Sequence, residues 1–142
     1  VSERLAKADD LRRAVAALVH DLSDDGDPPL EWDIRPEGEG ASRSRAVVLE
    51  PGRYWTVIFE PDGWGCSVDL LAPMALNQFF LGDVLQDSVI EETKEARPRC
   101  PKHAHPLNLH DEGYWFCPSD HDLRCPFGEY WEWRKSKTCG DG

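Results

Sequence analysis

The chain has 142 residues, enough for one domain with a hydrophobic core and a small appended element. Hydrophobic residues make up 40% of it and there are six tryptophans, an ordinary share for a globular chain with bulky side chains to bury. Against 27 acidic residues stand 16 basic ones, a net charge of −11 that repels phosphate backbones and argues against nucleic acid as a partner.

Most of that acidic excess precedes Cys100. No apolar run is long enough to cross a bilayer, and the N-terminus reads as a charged helix, not a signal peptide, so the expected location is cytoplasmic.

The first predicted element is a helix. Ser2 suits its N-cap, and Leu5, Ala8, Leu11, Val15, Leu18 and Leu22 recur at three- and four-residue steps. The turn formers of 23–29 end it. Four strands are then expected. Residues 30–35 alternate apolar and charged side chains, and 45–50 and 53–60 are β-branched or aromatic runs joined at Pro51-Gly52. Beyond the turn at 61–63, Trp64, Cys66, Val68 and Leu70 share a face. The economical arrangement is a four-stranded antiparallel meander.

Pro73 suits the first turn of another helix. Gly82 interrupts that segment, and Asp83 with Gln86 reads as a capping box opening a fresh helix to about Ala96. Val84, Leu85 and Val89 would face the sheet, and Pro98 marks a boundary. The expected organisation is α+β: an α+β sheet domain over 1–98, a zinc-ribbon-like hairpin over 99–133 and a flexible polar tail over 134–142.

The chemistry concentrates in the C-terminal third. Four of five cysteines and four of five histidines fall after residue 99, a mixture that in a reducing compartment suggests metal binding more than disulfides. Thiolate and neutral imidazole are the ligands that Zn2+ prefers. Cys100 and His103 have the gap of a tight knuckle turn. His105 precedes Pro106, which holds its backbone extended, so that His103 and His105 point to one side. Folding the chain back around 110–113 sets His105 beside or diagonal to Cys117. The expected metal ligands are Cys100, His103, His105 and Cys117, with His121 and Cys125 as alternates for one of the histidines. Cys66 reads as core, His20 and His110 as surface residues.

The pattern Cys-Pro-x-His-x-His-Pro, a hairpin, Trp-x-Cys-Pro and then Pro126-Phe127-Gly128-Glu129 resembles the C-terminal segment of small uncharacterised actinobacterial proteins. The resemblance covers about a quarter of the chain. It implies a metal site and no reaction. A regular zinc ribbon has a Cys-x-x-Cys pair in both knuckles, and the second pair is absent here.

Catalytic zinc needs an open position and a nearby base. Asp111, Glu112 and Asp120 are the candidates, and none stands in a recognisable catalytic pattern; Cys139 lies in the polar tail. The expected function is therefore non-enzymatic: a zinc-binding accessory or regulatory subunit acting through contacts with a protein partner. The aromatics Trp115, Tyr130, Trp131 and Trp133 either pack internally or anchor that contact. A zinc-dependent enzyme acting on a small metabolite is the first alternative. A nucleic-acid-binding ribbon using Arg97, Arg99, Lys102, Arg124 and the 134–137 tail is the second.

Overall fold

The computed structural model describes residues 3–37, 52–60 and 64–139, with side chains over 7–37, 52–60 and 65–137. Helix α1 spans Glu3–Leu22, and Leu11, Val15, Leu18 and Leu22 form its buried stripe as the spacing predicts. The Ser2 cap and the Leu5 side chain lie outside the described residues. The stop after α1 is built from aspartates: Asp27 N–H donates to Asp24 O (3.0 Å), and Asp24 N–H to Asp27 Oδ2 (2.9 Å).

Strands β1 (Trp32–Pro36), β2 (Tyr54–Phe59) and β3 (Trp64–Asp69) form an antiparallel sheet in the order β1-β2-β3. The expected meander of four strands is corrected in one respect. The 45–50 strand lies outside the described residues, and β1 pairs directly with β2, Ile34 opposite Val57. Ile34, Val57, Phe59 and Val68 supply the buried face. Arg53 grips Asp69 with two hydrogen bonds of 2.9 and 2.8 Å across the β2–β3 end, which holds the Asp69 carboxyl below its ordinary range.

Helix α2 runs unbroken from Met74 to Thr93. The expected break at Gly82 does not occur, because this glycine serves packing instead. A Cβ there would stand 2.2 Å from Leu109 Cδ2 and 3.1 Å from Leu18 Cδ2, so the missing side chain lets α1, α2 and the segment that carries Leu109 approach one another. Nor is Asp83–Gln86 a capping box. Gln86 is buried, and its Nε2 donates to Arg97 O (2.9 Å) and Leu107 O (2.7 Å). Of the three residues expected to face the sheet, Leu85 is buried and Val89 packs on the core, but Val84 is 43% exposed. The helix ends at Lys94, earlier than Ala96, in a left-handed cap whose N–H reaches Ile90 O.

The second half is more structured than the expected hairpin. Strands β4 (Asn108–His110), β5 (Tyr114–Cys117) and β6 (Asp120–Pro126) form a second three-stranded antiparallel sheet, followed by helix α3 (Tyr130–Cys139). The stretch 134–139, expected to be flexible, continues α3; 140–142 lie outside the described residues. One hydrophobic core runs from Leu11, Ile34 and Val57 through Leu85 to Trp115, Leu123 and Cys125, so packing is continuous across the expected boundary at 98/99. Trp115 and Tyr130 lie inside it, with Trp131 and Trp133 packed against it.

Arg97 closes the joint between the halves. Its guanidinium is nearly buried and forks onto Asp27 (2.5 and 3.0 Å), with further bonds to Glu95 Oε2 and Leu22 O. No buried side-chain polar atom among the described residues lacks a partner.

Two predictions follow from these contacts. Gly82→Val should lower unfolding stability by about 2 kcal/mol or more in urea titration, since overpacking outweighs any helix-propensity gain. Arg97 holds the Asp27 carboxyl below its ordinary value of 3.8. The stability from this pair is therefore present above pH 3.8 and lost as pH falls through the lower folded-state value. Asp27→Asn should cost about 2 kcal/mol at neutral pH, and the difference from the parent should close below the carboxylate range in pH-dependent denaturation.

Candidate metal centre

The knuckle expected between Cys100 and His103 lies within a closed loop that runs on to Pro106. Arg99 and Pro106 form an isolated antiparallel bridge, Cys100 N–H donates to His105 O (3.1 Å), and Leu107 N–H donates to Pro98 O (2.8 Å). Gln86 holds both legs of the loop at its base. In the adjoining hairpin Leu109 stands opposite Trp115 and Asn108 opposite Phe116. Just beyond this ladder His105 Nε2 comes within 3.9 Å of Cys117 Sγ, the neighbourhood that the hairpin spacing predicts.

The side chains converge. His103 Nδ1 lies 3.3 Å from Cys100 Sγ and 3.4 Å from Cys117 Sγ. These three donor atoms all fall within 4.8 Å of one another, a group that could hold a metal ion. Both cysteines are buried free thiols, and His103 is exposed. His105 Nε2 lies 3.9 Å from Cys117 Sγ and 3.5 Å from Ser119 Oγ, and the two imidazoles stack with centroids 5.0 Å apart.

Two features make the donor set suitable for a cation. A tetrahedral zinc with ordinary Zn–S and Zn–N bonds separates a sulfur from a nitrogen by about 3.6 Å, and the three sulfur–nitrogen distances bracket that value. His105 Nδ1 lies 3.0 Å from Pro106 O. A carbonyl accepts only from a protonated nitrogen, so this bond assigns the proton to Nδ1 and leaves the Nε2 lone pair facing Cys117. Burial pushes the Cys100 thiol up, and neighbouring Cys117 pushes the same way.

The alternates stand elsewhere. Cys125 lies in the core opposite Trp115, its thiol pushed up to about 12 by burial and by the charges of Asp21 and Glu129. His121 is exposed, its ring edge on Phe116 at 5.3 Å. Neither belongs to the group of three donor atoms that lie within 4.8 Å of one another, and His105 stands just outside it, beside Cys117. Cys66 is half-buried beside β2, with its thiol raised by burial. His110 is only partly in water: it stacks on Tyr114 at 4.4 Å and takes the Glu112 N–H. Asp111 and Glu112 sit at the hairpin tip, at the other end of β5 from Cys117. Asp120, opposite Cys117 in the β5–β6 register, uses its carboxylate on the Asp122 N–H.

Sequence reasoning passed over Asp21, which positions β5. This carboxylate is fully buried in the last turn of α1. Oδ2 accepts Trp115 Nε1–H (2.8 Å) and Gly128 N–H (2.5 Å), and Oδ1 accepts Tyr130 N–H (3.2 Å). Burial raises its pKa in spite of these donors. A signal was present, since Asp21 falls seven residues after Ala14 and three after Leu18, in phase with the apolar stripe. Asp21→Ala would strand the buried Trp115 and Tyr130 N–H donors and the part-buried Gly128 N–H. It should cost more than about 3 kcal/mol in chemical denaturation and expose Trp115 to fluorescence quenchers.

No family model, curated protein or solved structure matches the chain. None of the described helices is long and apolar enough to cross a membrane.

Proposed function

We propose that Cys100, His103, His105 and Cys117 hold one structural Zn2+, and that the protein is a non-enzymatic accessory or regulatory subunit acting through contacts with a protein partner. The observation that carries this reading is the meeting of both buried sulfurs at His103 Nδ1, with His105 turned Nε2-first toward Cys117. Four protein donors fill a tetrahedral shell and leave no position for a reacting water, which favours a structural over a catalytic ion. Free thiols at Cys100 and Cys117 suit a reducing compartment, so we place the protein in the cytoplasm. The net charge of −11 weighs against the nucleic-acid alternative.

When bound, the ion would tie the knuckle to the end of β5. The chain supplies the rest: Gln86 fixes the legs of the loop, and Pro106 O fixes the His105 tautomer.

Protein purified without added zinc should carry one equivalent of metal by mass spectrometry. Cys100→Ser and Cys117→Ser should each lose it, and hydrogen exchange should then speed up over 100–107 and 117–120 while β1–β3 stay protected. Cys125→Ala should keep the metal. Stoichiometric metal in Cys100→Ser, or a Cys100–Cys117 disulfide in protein from reducing cells, overturns the assignment.

A further inference from the structure

The outer face of α2 combines bulky apolar side chains with carboxylates and no cation. Phe80 is 60% and Val84 43% exposed, two of the three large hydrophobics that stand out among the described residues. Asp83, Asp87 and Glu91 are also exposed. At 100° per residue, positions 80, 83, 84, 87 and 91 fall within one strip of the helix surface. The helix contains no lysine or arginine, and Asp83, Asp87 and Glu91 make no ion pair among the described residues.

This strip borders a groove. Cys66, Ser67 and Val68 of β3 form one wall, and Phe80, Asp83 and Val84 belong to the other, enclosing about 350 Å³. Strand β3 is an edge of its sheet among the described residues, paired with β2 on one side only. A groove between a helix and a sheet, with apolar residues on both walls, offers seats for the apolar side chains of a docking segment.

We propose that this groove docks a cationic amphipathic segment of a protein partner, with its apolar side chains between Phe80 and β3 and its lysines or arginines against Asp83, Asp87 and Glu91. Charge complementarity selects this occupant. A second copy of the chain would bring the same carboxylate strip, and an anionic membrane surface would be repelled. The proposal rests on the partner-binding reading and is independent of the metal centre. It also moves the contact away from the aromatic cluster, since Trp115 and Tyr130 are buried.

The test uses the full chain and a fluorescein-labelled synthetic peptide of leucine and lysine at helical spacing, with a leucine–glutamate peptide as control. Anisotropy should report binding of the cationic peptide alone, and amide shift changes should fall at 66–68 and 80–91. Phe80→Ser should weaken binding about tenfold, as should the triple variant Asp83→Asn, Asp87→Asn, Glu91→Gln. All four sites are exposed, and circular dichroism checks that the fold persists. A control triple, Asp9→Asn, Asp25→Asn, Glu132→Gln, removes the same charge elsewhere and should leave affinity within about twofold.

Equal weakening by both triples would mean that net charge alone attracts the peptide, and would overturn the site. So would a dimer in sedimentation that Phe80→Ser dissolves, which would assign the face to a second copy. If Phe80→Ser and the first triple leave capture of a native-host partner unchanged, this groove is excluded and the partner-binding reading stands. If no host protein is captured by any form, that reading falls with it.

Discussion

The fold depends on a reciprocal capping arrangement between the end of α1 and the start of α3. A helix leaves its first N–H and last C=O groups without intrahelical partners, and burying such ends requires donors and acceptors from elsewhere. Asp21 in the last turn of α1 supplies an acceptor to Tyr130 N–H at the start of α3, from 109 residues away. Trp131 returns a donor: its indole N–H lies 3.0 Å from both His20 O and Ser23 O at the end of α1. Arg97 adds a third contact, to Leu22 O. An aspartate at a helix C-terminus is unfavourable with respect to that helix's dipole, but the same carboxylate sits at the positive end of α3. Burial outweighs the donors in its effect on Asp21 and raises its pKa. The carboxylate is thus held by geometry at an electrostatic cost, which makes sense only if the contacts it organises are worth more than its own solvation.

Three buried polar side chains carry the C-terminal third. Asp21 fixes β5 through Trp115, Gln86 suspends both legs of the 100–106 loop from α2, and Arg97 locks the chain just before it to Asp27 and Glu95. Each reaches across more than ten residues of sequence or joins two distant elements. The second sheet is therefore an extension of the core and not an appended module.

The legible parts of this structure were those with a local cause. The stripe of α1, the alternation of β1 and the pairing of β2 with β3 follow from local sequence pattern, and the meeting of Cys100, His103 and Cys117, with His105 beside Cys117, follows from a knuckle and a hairpin of short span. What stayed hidden had a tertiary cause. Gly82 looks like a helix breaker until Leu18 and Leu109 are seen against its Cα, and Gln86 mimics a capping residue because its true partners, Arg97 O and Leu107 O, come later in the chain. Helix α3 is ten residues and polar, too short to hold alone, and its N-terminal acceptor belongs to α1. Strand β6 did carry a two-residue period, Leu123 and Cys125 inward with Asp122 and Arg124 outward. Cys125 and His121 fit that strand as well as they fit a ligand set, so the residue types alone do not separate the two.

The placement of Gln86 also bears on what a metal would contribute. In small zinc fingers the ion supplies the folding energy, because no core exists without it. Here the loop legs, the strand register and the His105 tautomer are held by hydrogen bonds that owe nothing to a cation. On this reading the ion restrains a loop, and α2 ties that loop to the groove: its inner face carries Gln86, its outer face Phe80 and Val84, within two turns of one rigid helix. A partner seated on the outer face would thus bear on the same element that suspends the knuckle.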